Sequence, residues 1–450
     1  MGLTGGYAGW RAVAACFLMA LFAWGLGFYS HGIYLTELQK ATGWSTSFIS
    51  SVITGHYLLS ALLLIGIADV MDRLGPRTVV LAGVVLQAAA VLMLPQVRAP
   101  WQLIVAYVLF AVAWTCMSSV PIATLVGRWF DRRRGLALNL SLSGATVAGI
   151  VIAPAMLFVT ASADFGTATV WLVGAMVVVL GITVPMFIRW PRAAERDDER
   201  PTPPGVASSA QPRQQAPGQL HAHPRAQAQS RPRAQEQTET RSRAPERNQP
   251  LDRRAVLARR DFWTIAGSFA LALLVQVGFL TQQVAILRPS LTQPQIGLAI
   301  ALTTGSALVG RIGMAMLIDR IDQRRASALA FISQAAALMA IASTQAAPAL
   351  LVACVVYGFS VGNVITLAAL IVQKEFAPQV YGTVVGLTTG IGQLTYSFGP
   401  AVFGWLRDTF GGYRAPLVVG VVLYGVAAIL IVSRGPGHRP RTQPASPGRA

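Results

Sequence analysis

Charge is what this 450-residue chain has least of: Asp, Glu, Lys and Arg make up 12% of it, about half of the roughly 25% found in soluble globular proteins. With 54% apolar residues and a mean hydropathy of +0.53, that shortfall excludes an ordinary soluble domain and places the chain in a membrane. Lysine is almost missing, since Lys40 and Lys374 stand alone among 36 basic residues. Cysteine is scarce too, and Cys16, Cys116 and Cys354 lie in apolar stretches at spacings that form neither a disulfide framework nor a zinc site. The acidic residues are confined to turns, span ends and one central segment, and no nucleophile–base or metal-ligand set remains, so neither an enzyme nor a cofactor is expected. The net charge of +18 sits in turns and that segment rather than in stripes on helices, which argues against nucleic acid and for a positive-inside membrane topology.

What the chain does have is long apolar runs. Runs of about 20 residues suffice to cross a bilayer, and the pattern predicts twelve. They cover residues 10–36, 46–69, 77–95, 101–126, 136–160 and 168–189, then 262–287, 295–318, 326–345, 347–373, 381–406 and 413–433. The first run has no basic segment before it and is too long for a signal peptide, so it reads as an uncleaved span. The expected division is an N-terminal bundle at 1–190, a disordered linker at 191–260, a C-terminal bundle at 261–434 and a disordered tail at 435–450. The linker is rich in Pro, Gln, Arg, Ala and Glu and cannot bury enough surface to fold alone. It reads either as a solvated connector or as a docking loop.

Arginines follow the even-numbered spans: Arg73 and Arg77, Arg128 and Arg132 to Arg134, then Arg320, Arg324 and Arg325. These turns, the linker and both termini are therefore expected on the cytoplasmic side of a cytoplasmic membrane. An internal repeat supports a duplicated architecture. Ile65, Gly66, Ala68, Asp72, Arg73 and Arg77 recur as Ile312, Gly313, Ala315, Asp319, Arg320 and Arg324, all offset by 247 residues.

An ionisable side chain inside a bilayer is costly and is a functional candidate by default. The two strongest here are Arg311 and His56. Arg311 lies eight residues before Asp319, or ~12 Å into the membrane at 1.5 Å per residue, and its repeat partner is Leu64. A cation in one half only points to recognition of a substrate, since a guanidinium suits bidentate capture of a carboxylate; a structural arginine satisfied by carbonyls is the other reading. His56 is a candidate for proton coupling or a histidine satisfied by its neighbours. Polar groups at helical spacing, among them Gln283, Asn363, Gln393 and Tyr396, line a pore or bond between helices. Gly382, Gly386 and Gly390, and separately Gly144 and Gly149, are expected to bring helices close. In Asp72-Arg73-Leu74-Gly75-Pro76-Arg77 an acid beside a helix end and arginines beyond it predict a charge latch between bundles, topology anchoring being the simpler role.

With this span count, repeat and turn sequence, the chain resembles the major facilitator superfamily over nearly all its length except linker and tail. The turn after span 2 resembles the motif Gly-x-x-x-Asp-Arg-x-Gly-x-Arg with Ala68 at the first glycine, and the copy after span 8 has Ala315 and Asp322 at the two glycines. Trp129-Phe130-Asp131-Arg132-Arg133-Arg134-Gly135-Leu136-Ala137 is similar to a motif of monocarboxylate-transporter-like members, and oxalate/formate exchangers are also similar. The resemblance implies an all-α fold of two pseudo-symmetric six-helix bundles, a monomer, and a span 8 arginine, here Arg311, that binds a substrate carboxylate. Proton-coupled members pair that arginine with an acid one turn earlier, where this chain has Ala307, and many carry a span 1 lysine, where it has Phe28 and Tyr29. The exchangers' span 11 lysine is replaced by Gln393 and Tyr396.

The expected function is therefore alternating-access transport of a small organic anion, with a co-transported proton left open. Arg311 is the expected anchor and Tyr29, Trp114, Gln283, Asn363, Gln393 and Tyr396 the expected walls. Asp72, Arg73, Gly75, Arg77, Asp319, Arg320 and Arg324 are the expected switch. An exporter of drug-like compounds is the alternative, and a non-transporting membrane sensor a further one.

Overall fold

The computed structural model describes residues 8–130, 133–192, 256–317, 321–376 and 380–433, and all regular structure among them is helical. Asp319 and Arg320 lie outside the described residues, as do most of the 191–260 segment and the tail beyond Ser433. Among the described residues, ten helices are long and apolar enough to cross a membrane.

In the N-terminal half, α1 (Gly9–Trp24) passes through a π-helical turn, Gly25–Tyr29, into α2 (His31–Thr42). It is followed by α3 (Thr46–Leu63), the short α4 (Ile67–Leu74), α5 (Pro76–Met93), α6 (Pro100–Met117), α7 (Ser119–Trp129), α8 (Arg134–Ser162) and α9 (Phe165–Phe187). The C-terminal half contains α10 (Arg260–Leu287), α11 (Gln293–Leu317), α12 (Gln323–Ser343), α13 (Ala347–Val361), α14 (Val364–Glu375), α15 (Tyr381–Ser397), α16 (Gly399–Phe410) and α17 (Arg414–Val432). The repeat extends well past the charged turns. Gln293, Gln323, Ala347 and Tyr381 open their helices 247 residues after Thr46, Pro76, Pro100 and Arg134 open theirs.

Local chemistry sets the starts and breaks. Ser45 accepts from the Phe48 amide, Asp164 from Thr167, and Asp322 from Arg324 and Arg325, each filling donors that a helix N-terminus leaves free. Pro121 has no N–H to give the carbonyl of Met117, and the helix breaks at Ser118. Pro400 likewise follows the break at Phe398, and Gly362 and Asn363 separate α13 from α14. The runs read as spans at 347–373 and 381–406 are thus each two helices meeting inside an apolar stretch.

The halves meet along three seams: α2 on α10, α3 on α16 and α8 on α11. Near the turns at Gly43 and Gly411 the contacts are polar and close. The Ser47 amide donates to Asp408 Oδ2 at 2.5 Å, Gln282 Nε2 donates to Ser50 Oγ at 3.1 Å, and the Ala401 amide donates to Thr54 Oγ1 at 3.2 Å. At the other end, which carries Asp72, Arg77 and Arg324, each ion pair described stays within one half. Arg128 chelates Asp72 at 2.9 and 2.8 Å, Arg77 Nε donates to Ile188 O at 2.8 Å, and Arg324 pairs with Glu375. The ion pairs described at this end are thus clasps within each half, while Asp319 and Arg320 of the expected switch lie outside the described residues.

The glycines divide. A Cβ on Gly144 would sit 2.1 Å from Phe17 O, and one on Gly149 2.3 Å from Thr304 Cγ2, so these two do bring helices together. Gly386 and Gly390 meet nothing within 4 Å, so the close approach expected of them is absent; a four-residue spacing sets a common face but supplies no neighbour. Gly144→Ala is therefore expected to destabilise the fold by about 1–3 kcal/mol, as overpacking does. Gly386→Ala should be neutral or slightly stabilising. Thermal unfolding of the two purified variants would check this, and equal shifts would refute it.

Candidate functional site

Each half carries a backbone irregularity within one of its spans. In the N-terminal half the π-turn adds a residue to one turn of the first span and re-aims the side chains after it. Gly25, Leu26 and Gly27 stay buried, while Phe28 and Tyr29 emerge half-buried. In the C-terminal half the break at Gly362 and Asn363 releases a carbonyl from the helix ladder, and Arg311 Nε donates to Gly362 O at 3.2 Å.

Arg311 is exposed, and no carboxylate among the described residues comes within ion-pair distance of it. Helical side chains lean toward the helix N-terminus, so Arg311, near the C-terminal end of α11, reaches back along its own helix. Its guanidinium acts electrostatically on the Tyr29 phenol from the opposite half. Neither the Tyr29 nor the Tyr396 hydroxyl makes a hydrogen bond to a described residue, and the Tyr396 ring lies 6.0 Å from that of Tyr57, again across the two halves.

The other expected wall residues are placed less uniformly. Trp114 is buried, its ring 4.7 Å from that of Trp24. Asn363 is buried beside Gly362, donating to Phe359 O at 3.2 Å and leaving Oδ1 without a partner. Gln283 is engaged inside its own half, donating to Thr303 Oγ1 at 3.0 Å with Cys354 Sγ at 3.7 Å, which makes it a pin between α10, α11 and α13 in this conformation. Gln393 is half-buried on α15. His56 is buried in the N-terminal half, 5.5 Å ring to ring from His31, and neither of its ring nitrogens finds a hydrogen bond of good geometry. Sequence reasoning did not single out Trp24 or Tyr57; the one usable signal was that Trp24 stands four residues before Phe28.

The switch residues gather at the charged end. Asp72 binds Arg128 rather than Arg73 or Arg77, and Gly75 turns the chain there with φ of +81°, a value favouring glycine. Arg324 is buried, held by both Glu375 oxygens at 2.6 and 2.7 Å, by Thr264 Oγ1 and by Ile431 O. Arg128 and Glu375 occupy equivalent places in the 247-residue repeat with opposite charge, but their partners do not, since Asp72 corresponds to Asp319 and Arg324 to Arg77.

Comparison with known proteins matches residues 13–400 to the sequence profile of the Major Facilitator Superfamily. The chain belongs to that superfamily. It is a multi-pass membrane transporter, and solved members share its fold. A bacterial homologue of the human lysosomal transporter Spinster, in an inward-facing and unoccupied conformation, superposes with a TM-score of 0.66 at 13% identity, covering 95% of this chain and 97% of that one. The nucleoside transporter NupG gives 0.67 at 13% identity, over 95% and 98%. Among curated relatives, the multidrug efflux pump Tap of Mycobacterium tuberculosis is 29% identical over 137 residues, 30% of this chain and 33% of Tap. The riboflavin transporter MCH5 of Saccharomyces cerevisiae is 25% identical over 162 residues, 34% of this chain and 29% of MCH5. The matched stretch thus spans about a third of these relatives, and the superfamily assignment rests on the profile and the fold.

Proposed function

We propose that this transporter moves a small organic anion, a carboxylate, across the cytoplasmic membrane by alternating access, with Arg311 as the electrostatic anchor. The observation that carries the reading is the unpaired Arg311 guanidinium, set against the Tyr29 phenol of the other half. The guanidinium has no counter-ion among the described residues, and an arriving carboxylate would pair with it through two parallel hydrogen bonds. In this reading α13 with α14, and α15 with α16, complete twelve crossings in two bundles. Both termini and the 191–260 segment lie on the cytoplasmic side, and the conformation is open inward, since the contacts between halves lie toward the Gly43 and Gly411 turns. One copy suffices for the site.

The similarity to Tap and to the riboflavin transporter favours a second reading, export of larger, uncharged or amphipathic compounds, in which Arg311 serves only to tie α11 to Gly362. Thermal unfolding of the purified protein against mono- and dicarboxylates, amino acids and neutral drugs separates the two. A carboxylate at 100 times its dissociation constant is expected to add about 2.7 kcal/mol of stability, and Arg311→Gln should abolish that increment while remaining folded. Stabilisation by neutral compounds alone, unchanged in Arg311→Gln, would establish the exporter.

A further inference from the structure

We infer that the anion this site prefers carries an aromatic or comparably planar ring, which would rest on the N-terminal half's aromatic wall while Arg311 holds the carboxylate. This rests on the anion reading above and narrows it.

The wall is built by the π-turn. Trp24, Phe28 and Tyr29 are half-buried while the residues between them are buried, so each packs against the core of its own half and keeps part of its surface accessible. Their partners continue the surface toward the other half. The Trp24 and Trp114 rings meet at 4.7 Å, tilted by 54°; Phe28 stands edge-on to Tyr29 at 5.2 Å and reaches Tyr57 at 6.3 Å; and Tyr57 in turn meets Tyr396. Gly27 permits the arrangement, because a Cβ there would lie 3.3 Å from Trp114 Cε3. Tyr29 belongs to this surface, and the Arg311 guanidinium acts on it electrostatically from the other half.

The chemistry of the two sides is complementary to an aryl carboxylate and poorly matched to a short aliphatic one. An acetate- or oxalate-sized anion would satisfy the guanidinium and leave the accessible parts of these rings uncovered. A ring attached to the carboxylate would cover them, each aromatic contact adding roughly two- to tenfold in affinity beyond the area it buries. A neutral arene would gain the wall and leave the guanidinium unpaired.

The test is binding to the purified full chain of acetate, L-lactate and oxalate, of benzoate and phenylacetate, and of benzamide, repeated with Phe28→Leu, Trp24→Leu and Arg311→Gln. Two wall variants are used so that a folding defect in one, read by gel filtration, leaves the other to decide. The aryl carboxylates should bind at least tenfold tighter than the aliphatic ones. Phe28→Leu or Trp24→Leu should cut that preference to threefold or less, the aryl carboxylates losing more affinity than acetate. Arg311→Gln should weaken all the carboxylates and leave benzamide as it was. Carboxylates that depend on Arg311 yet bind without regard to the ring would overturn this inference and leave the anion reading standing. Binding of benzamide equal to benzoate, or no binding by any carboxylate, would overturn both.

Discussion

Replacing Glu375 by alanine should cost about 3–5 kcal/mol, the expected penalty for leaving a buried charge without its partner. The stranded group is Arg324, which is almost fully buried and sends Nε and Nη2 to the two Glu375 oxygens. Its remaining bonds, to Ile431 O and Thr264 Oγ1, satisfy donors but supply no counter-charge. The corresponding loss in the N-terminal half should be small. Asp72 and Arg128 pair with good geometry, but their side chains are nearly half exposed, at 47% and 44%, and exposed pairs contribute only about 0–1 kcal/mol. Thermal unfolding of Glu375→Ala beside Asp72→Ala would therefore give a large shift and a small one. Combining Arg324→Met with Glu375→Leu should recover much of the first loss, because removing both charges also removes the desolvation penalty. Equal, small shifts for the two single variants would mean that water reaches Arg324 and that the C-terminal clasp is no stronger than a surface pair.

That difference between the halves was only partly readable from the sequence. The 247-residue offset was visible in the charged turns, and extending it would have laid Glu375 over Arg128 and shown the exchange of sign. Burial was not readable, since Glu375 and Asp72 both stand at the ends of apolar runs. The spans were legible because apolar length is a property of the chain alone, whereas the interruptions beside Pro121 and Pro400, which follow from a missing N–H, fell inside runs read as single spans. The π-turn was not legible: Gly25 and Gly27 mark a place where helices approach, but the added residue is decided by what packs there, Ile152 against Gly25 and Trp114 against Gly27. Arg311 stood out because a lone cation in an apolar run is costly anywhere in a bilayer. Gln283 looked equally available, and only the tertiary placement of Thr303 and Cys354 shows its amide engaged.

Asp408→Ala should loosen the seal between the halves at the Gly43 and Gly411 turns and raise the population open at that end by about tenfold. Asp408 lies 361 positions from Ser47, yet its carboxylate caps the first turn of α3, accepting from the Ser47 amide while Ser45 accepts from Phe48. A helix N-terminus carries free amides and partial positive charge, so a carboxylate brought by the opposite half both fills a donor and meets a favourable field. Hydrogen bonds to charged groups contribute about 1.5–3 kcal/mol. The low end applies here, because Asp408 is 22% exposed and shares its charge with Arg407 Nη1 at 2.8 Å. About 1.4 kcal/mol is a factor of ten in an equilibrium. The bond can exist only while α16 lies against α3, so its loss should act on the balance between conformations and spare the fold of either half. Gly404→Val should act in the same direction and more strongly, since even a Cβ there would lie 2.8 Å from Ser50. Spin labels at Ala41 and Thr409, both exposed at that end, would report the separation of the halves. A longer-distance population that grows in Asp408→Ala, with unfolding temperature little changed, is the expected result. An unchanged distance distribution would show that Gln282 with Ser50, and Thr54 with Ala401, hold the seal without it.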